Sequence, residues 1–253
     1  MLTVERRARR SLLDLLHPRG QLPLFAAFLA LGLVYGWLVV YWYRAPLWSA
    51  VLFTVALLLV PLTQKWRNDR HAIGWPLTIL SILLATQSFH TVEHLAQWAQ
   101  YHLLGWPLKS SSGLISPLNA EIVHFVWNWA VLLVVAGLLA AGLRNCWMWL
   151  LLAWAAAHTA EHSYLFINYV QSGGVQGLPG FFGAGGWLAS NQEANAALNF
   201  FCQIAPGLTA APRLDVHFWW NVGEIGLLIP AAHVAMRRSH ERRGRRAAHD
   251  WQE

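Results

Sequence analysis

The residues able to do chemistry are concentrated in a pentapeptide that occurs twice. His90-Thr91-Val92-Glu93-His94 returns as His158-Thr159-Ala160-Glu161-His162. Residues three and four apart share one face of an α-helix, so each HxxEH puts two imidazoles and a carboxylate on a single patch. Both groups bind transition metals and carry protons. A second segment follows each copy: Val123-His124-Phe125-Val126-Trp127-Asn128 after the first, Val216-His217-Phe218-Trp219-Trp220-Asn221 after the second. Two coupled matches in the same order point to an internal duplication, each half being a helix ending in HTxEH, a loop, and a helix beginning VHFxWN.

The polar stripes extend beyond these motifs at helical spacing. Gln87, His90, His94, Gln97 and Tyr101 form one; Glu121, His124 and Asn128 a second; His217, Asn221 and Glu224 a third. The acid precedes the histidine in one copy and follows it in the other, so the repeat is inexact there. Asp215 stands two residues before His217. The expected metal ligands are His90, His94, His124, His158, His162 and His217. Glu93 and Glu161 are expected to be ligands, metal bridges or the catalytic proton carriers. Glu121, Glu224, Asp215, Asn128, Asn221 and Gln87 are expected around them, orienting imidazoles by hydrogen bonds or completing the ligand set. Trp127, Trp129, Trp219 and Trp220 flank these faces and could wall the site. His17, His71, His102, His233, His240 and His249 lie near helix ends or in terminal segments and are assigned no chemistry.

The elements that must position these groups follow from composition. The chain has 253 residues, 56% hydrophobic and 12% charged, with a mean hydropathy of +0.37. A soluble domain carries about 25% charged residues, so a water-soluble globule is excluded. A bilayer core is spanned by about 20 apolar residues, and such stretches occur at 22–43, 46–64, 73–104, 118–143, 146–170 and 215–236. The expected fold is an all-α integral membrane protein with six transmembrane helices. Helices 3-4 and 5-6 would form the duplicated hairpins around a polar core, with the first two helices an added pair. Residues 1–21 would be a basic cytoplasmic segment, 22–236 the membrane domain and 237–253 a basic cytoplasmic tail. The N-terminal segment has the look of a signal-peptide n-region, but the apolar run after it is too long and lacks a small-residue cleavage site. Residues 171–214 form the longest connection, rich in glycine and aromatics, expected to fold over the outer mouth with 192–204 as a short amphipathic helix.

Fifteen of the eighteen Lys and Arg residues fall at the two ends and in alternate loops, and only Arg44, Lys109 and Arg213 in the others. The positive-inside rule then makes both termini cytoplasmic. HTxEH comes late in outward-running helices and VHFxWN early in inward-running ones, so the ligands converge in the extracytoplasmic half of a four-helix core. Bundle cores are where helical proteins build metal sites from facing helices. The inner halves read as hydrocarbon.

Several function classes drop out. Cys146 and Cys202 are too few for an iron–sulfur or zinc-ribbon site, and the topology puts them on opposite sides of the bilayer. No GxxxxGK[ST] nucleotide motif is present. The arginine-rich tail reads as an anchor to anionic membrane lipid, and no nucleic-acid partner is expected. Haem needs one histidine per face and a cleared slot, whereas HxxEH crowds two imidazoles and a carboxylate together. Transport needs polar groups along the whole depth. A hydrogen-bonded histidine network without metal is the bland alternative, but six histidines and several carboxylates at one depth demand more partners than it supplies. The sequence therefore points to two transition-metal ions, iron or copper with zinc as the alternative. The expected activity is an oxidoreductase of the hydroxylase, oxygenase or desaturase type, acting on an apolar or lipid-like substrate. No electron donor is legible. The alternatives are a membrane zinc hydrolase, since HxxEH resembles the inverted zinc-protease signature with glutamate as general base, and a non-catalytic metal- or haem-binding membrane protein.

Overall fold

A computed structural model describes residues 13–18, 21–191 and 196–249. Among the described residues the protein is all-helical. The α-helices in chain order are α1 (Leu13–Leu16), α2 (Leu22–Tyr43), α3 (Leu47–Ile73), α4 (Trp75–His102), α5 (Glu121–Ala140), α6 (Cys146–Gln171), α7 (Trp187–Asn191), α8 (Ala196–Ile204), α9 (Gly207–Ala210) and α10 (Arg213–His249). Each of the six apolar stretches corresponds to one long helix, although the expected 73–104 and 118–143 overrun α4 and α5 at both ends and 46–64 starts one residue before α3. Three of these, α2, α3 and α5, are long and apolar enough to cross a membrane. The other three have the length, but histidine, glutamate, glutamine and arginine interrupt their apolar runs. The helices that carry HTxEH and α10 are thus the long helices that fall short of that apolarity.

The chain divides into two compact units. The first takes the described residues up to Gln87 together with Val134–Leu151 and Ile225 onward; the second takes Ser88–Leu133 and Leu152–Glu224.

In the first unit, α2 opens with a proline in its first turn and stops at Arg44, whose backbone is left-handed at φ 54°. Pro46 then caps α3, and the two helices pack closely through small residues. A Cβ on Gly32 would lie 2.8 Å from Thr54, and one on Gly36 would lie 2.9 Å from Ala50. This is the small-xxx-small contact by which membrane helices approach in the absence of a hydrophobic driving force. The basic cluster Lys65, Arg67 and Arg70, expected in a loop, is instead helical: α3 runs on to Ile73 and only Gly74 separates it from α4. Lys65 and Asp69 are 2% and 1% exposed and form an ion pair. Lys65 Nζ also donates to Ser81 Oγ at 3.1 Å, and Ser81 Oγ donates to the Leu15 carbonyl at 2.6 Å. A buried ammonium survives only with such partners, so Lys65 is a structural charge and not an exposed topology marker. The rest of this core is hydrocarbon, with Leu80, Leu84, Val135, Leu138, Met148, Leu151, Leu228 and Ala231 almost fully buried.

The second unit holds the later part of α4, the start of α5, most of α6 and the start of α10. Two 3-10 turns, Leu108–Ser110 and Ser116–Asn119, shape the loop after α4, each beginning beside or at a proline. In the long connection, helix forms over 196–204 within the 192–204 segment expected to be helical; residues 192–195 lie outside the described residues. That connection is held by its own backbone, with Gly183 N bonded to Leu208 O at 2.7 Å and Ala184 N to Ala211 O at 2.9 Å. Polar groups are buried throughout this unit. α10 does not stop at 236 but continues as helix to His249, so the basic tail begins as helix.

Candidate metal centre

Four helices of the second unit deliver the site. α4 presents His90, Glu93, His94 and Gln97 on one stripe, and α6 presents His158, Glu161 and His162. α5 supplies Glu121, His124 and Asn128, and α10 supplies Arg213, His217, Asn221 and Glu224. Five of the six histidines are buried, with His90 half-buried.

The six imidazoles form one contiguous group. Ring centroids lie 4.7 Å apart for His90 and His94, 5.5 Å for His94 and His124, and 5.2 Å for His124 and His162. His162 is 4.8 Å from His217 and 4.8 Å from His158. One nitrogen from each of His90, His94 and His124 lies within 4.8 Å of the other two, and no carboxylate belongs to that trio.

Hydrogen bonds fix which nitrogen of four of the rings faces its neighbours. His94 Nδ1 donates to Gln97 Oε1 at 3.0 Å, His124 Nδ1 to the Ala120 carbonyl at 3.3 Å, and His217 Nδ1 to the Arg213 carbonyl at 2.9 Å. His158 Nδ1 donates to Glu224 Oε1 at 3.0 Å. A neutral imidazole whose Nδ1–H is committed to an oxygen acceptor holds its lone pair on Nε2. Four of the six rings are therefore set as Nε2 bases. Nε2 of His90, of His94 and of His217 is buried with no hydrogen-bond partner. His158 Nε2 and His162 Nε2 stand 3.1 Å apart, while His162 Nδ1 is buried and unpartnered. Two imidazole nitrogens bound to one ion at about 2.0–2.1 Å stand roughly 2.9–3.4 Å apart for angles between 90° and 109°. The His158–His162 pair has that spacing, and Nε2 of His90, His94 and His217 is left buried without a donor.

The two motif copies share local geometry. Asn128 Nδ2 donates to the His124 carbonyl and Asn221 Nδ2 to the His217 carbonyl, both at 2.9 Å. In both copies the histidine Nδ1 is tied to the carbonyl one turn earlier. Asn128 Oδ1 and Asn221 Oδ1 are both buried without a partner. The glutamates also match. Glu93 Oε1 accepts the Ile115 N–H at 2.8 Å, and the Glu161 carboxylate accepts the Phe181 N–H at 3.0 and 3.2 Å. A glycine lies against each carboxylate: a Cβ on Gly113 would fall 2.2 Å from Glu93 Oε1, and one on Gly180 would fall 1.9 Å from Glu161 Oε1. Gly113 also has a left-handed φ of 81°. Each glutamate thus grips the backbone of the loop that follows its helix. Glu93 keeps Oε2 free and buried.

The remaining expected residues are engaged by other partners. Glu121 forms an ion pair with Arg213 at 2.6 Å and retains a free buried Oε2. Asp215 pairs with His102 at 2.7 Å, so His102, given no role from sequence, is the partner of a residue expected at the centre. Gln87 is buried in the first unit. Of the four tryptophans, Trp220 stacks on His158 at 5.1 Å and 7° and Trp127 lies 5.4 Å from His90, whereas Trp129 and Trp219 are exposed.

Sequence reasoning missed Arg213, which had been counted only as a loop charge. It bonds both Glu121 and the Leu178 carbonyl, the latter at 3.1 Å. No spacing rule marks it, because its partners lie in distant segments. Gln97 was visible as the next step of the α4 stripe but was not assigned a role. Compared with known protein families, curated proteins and solved structures, the chain matches none.

Proposed function

We propose that this chain is an integral-membrane metalloprotein in which two transition-metal ions are held by two imidazole triads, His90–His94–His124 and His158–His162–His217. Each triad comes from one copy of a duplicated hairpin, and the six long helices cross the bilayer with both termini cytoplasmic and the centre towards the outer side. The observation that carries this reading is the set of committed Nδ1–H groups. They leave Nε2 lone pairs turned towards one another in a buried site, an arrangement unfavourable without a cation.

An imidazole-dominated set suits copper, iron or zinc, with copper the tightest by the usual order of divalent affinities. Two redox ions at such a centre supply electron exchange, with dioxygen the expected oxidant and an apolar or lipid-like molecule the expected substrate. The chain's own residues set up the site. Gln97, Glu224 and the backbone carbonyls of residues 120 and 213 orient the rings, while Trp127 and Trp220 cover two of them. The zinc-hydrolase alternative, with Glu93 or Glu161 as base, has less support because both carboxylates receive loop amides.

Elemental analysis of the detergent-purified protein, with an optical spectrum on the same sample, tests the reading. Two equivalents of copper or iron per chain are expected. His94→Ala and His162→Ala should each weaken binding of one equivalent by at least about tenfold, given what even outer-shell losses cost. A metal-free wild type, or two folded variants with full metal content, would leave a hydrogen-bonded network as the better account.

A further inference from the structure

Within the first unit, a cavity of about 260 Å³ is lined by apolar Ile73, Leu77 and Leu143 and by two arginines, Arg144 and Arg238. Arg144 Nε donates to the Leu139 carbonyl at 3.3 Å, and an Arg238 guanidinium nitrogen donates to the Arg144 carbonyl at 2.5 Å. Both bonds go to neutral backbone acceptors. Among the described residues neither arginine has a carboxylate partner, and both are exposed. Asn145, also in the lining, is committed: its Oδ1 caps α6 through Met148 N at 3.0 Å and its Nδ2 donates to the Ala231 carbonyl at 3.2 Å. Two uncompensated guanidinium groups therefore flank a recess with apolar walls. It lies where α4 and α6 begin, and helix starts add positive potential from first-turn N–H groups.

We propose that this cavity binds the phosphate headgroup of an anionic phospholipid, with the two guanidinium groups on the phosphate and the apolar wall against the first carbons of the acyl chains. Guanidinium favours phosphate through paired N–H donors, and basic pockets between membrane helices are suited to anionic headgroups. The apolar wall beside the charges selects lipid over a free anion, which would gain nothing from Ile73 and Leu77. The proposal rests on the helices crossing a membrane and is independent of the metal centre.

The test is thermal unfolding of the detergent-purified full-length chain, titrated with phosphatidylglycerol, phosphatidylcholine or inorganic phosphate. Phosphatidylglycerol should raise the wild-type midpoint saturably where phosphatidylcholine does not. The double variant Arg144→Gln/Arg238→Gln should need roughly 30-fold more lipid for the same rise, at about fivefold per arginine. Arg237→Gln, which removes an exposed charge outside the cavity, should titrate as wild type. Equal responses to the two lipids, or an unchanged titration in the double variant, would overturn the proposal. A saturable shift with inorganic phosphate equal to that with phosphatidylglycerol would overturn lipid as the ligand in favour of a free anion. If the double variant does not fold, the wild-type comparison of the three additives decides.

Discussion

His158 shows how much of the proposed centre lies in the atoms behind the imidazoles. Its ring is clamped between Trp220 on one face and Glu224 at Nδ1, so tautomer and orientation are both set before any ion arrives. Glu224→Gln removes the carboxylate charge but can keep the contact. It should lower metal affinity by about 10- to 100-fold with the fold intact, read by competition with a chelator of known affinity. Unchanged affinity would reduce Glu224 to packing. At this scale the sequence was informative about identity and poor about direction. The spacing of HxxEH predicts a shared face, and α4 and α6 do present those residues together. Spacing does not tell which side chains turn inward, and Glu93 and Glu161 each grip a loop amide, a partner no helical period could name. Arg213 was hidden for the same reason.

Among the elements, the loops after α4 and α6 are tied down by one glutamate each, and glycine permits the approach. Gly113→Ala and Gly180→Ala place a methyl where a carboxylate oxygen now sits. Each should cost about 2 kcal/mol from the displaced hydrogen bond, with backbone strain added only at Gly113, whose φ is 81°, seen as a lower Tm and faster amide exchange in residues 113–115 or 180–182. Metal content should hold. Loss of metal in parallel with stability would instead place the glutamates among the ligands. The long helices were legible because apolar runs of this length have few alternatives in a chain so poor in charge. Their ends were less so. α3 absorbs Lys65 and Asp69 as a neutralised pair, and a scan that treats every lysine as a break ends the helix about two and a half turns early. The Gly32–Gly36 contact with α3 was present in the sequence as a GxxxG step but is one short motif among nineteen glycines.

For the whole molecule, burial separates two kinds of interior, one of hydrocarbon and one of imidazole, amide and carboxylate. The sequence already shows this division in the contrast between Ala130 to Gly142 and the HTxEH segments. The proposed membrane sidedness rests on charge alone, and it can be checked directly. Cys146 is exposed beside Arg144, and Ser172 is exposed after α6. A membrane-impermeant maleimide should label Ser172→Cys in intact cells and Cys146 only after permeabilisation. The opposite pattern would invert the topology and move the centre to the cytoplasmic side.

His124 and His217 are each steadied by a carbonyl one turn back, that of Ala120 just before α5 and that of Arg213 at the start of α10. Their aim is set as soon as α5 and α10 coil. Biogenesis can then proceed in two stages. On the proposed reading the polypeptide would be threaded and folded empty, and the ions would arrive afterwards from whichever compartment the outer loops face. Supply of metal on that side, and not the rate of synthesis, would govern how much of the protein matures.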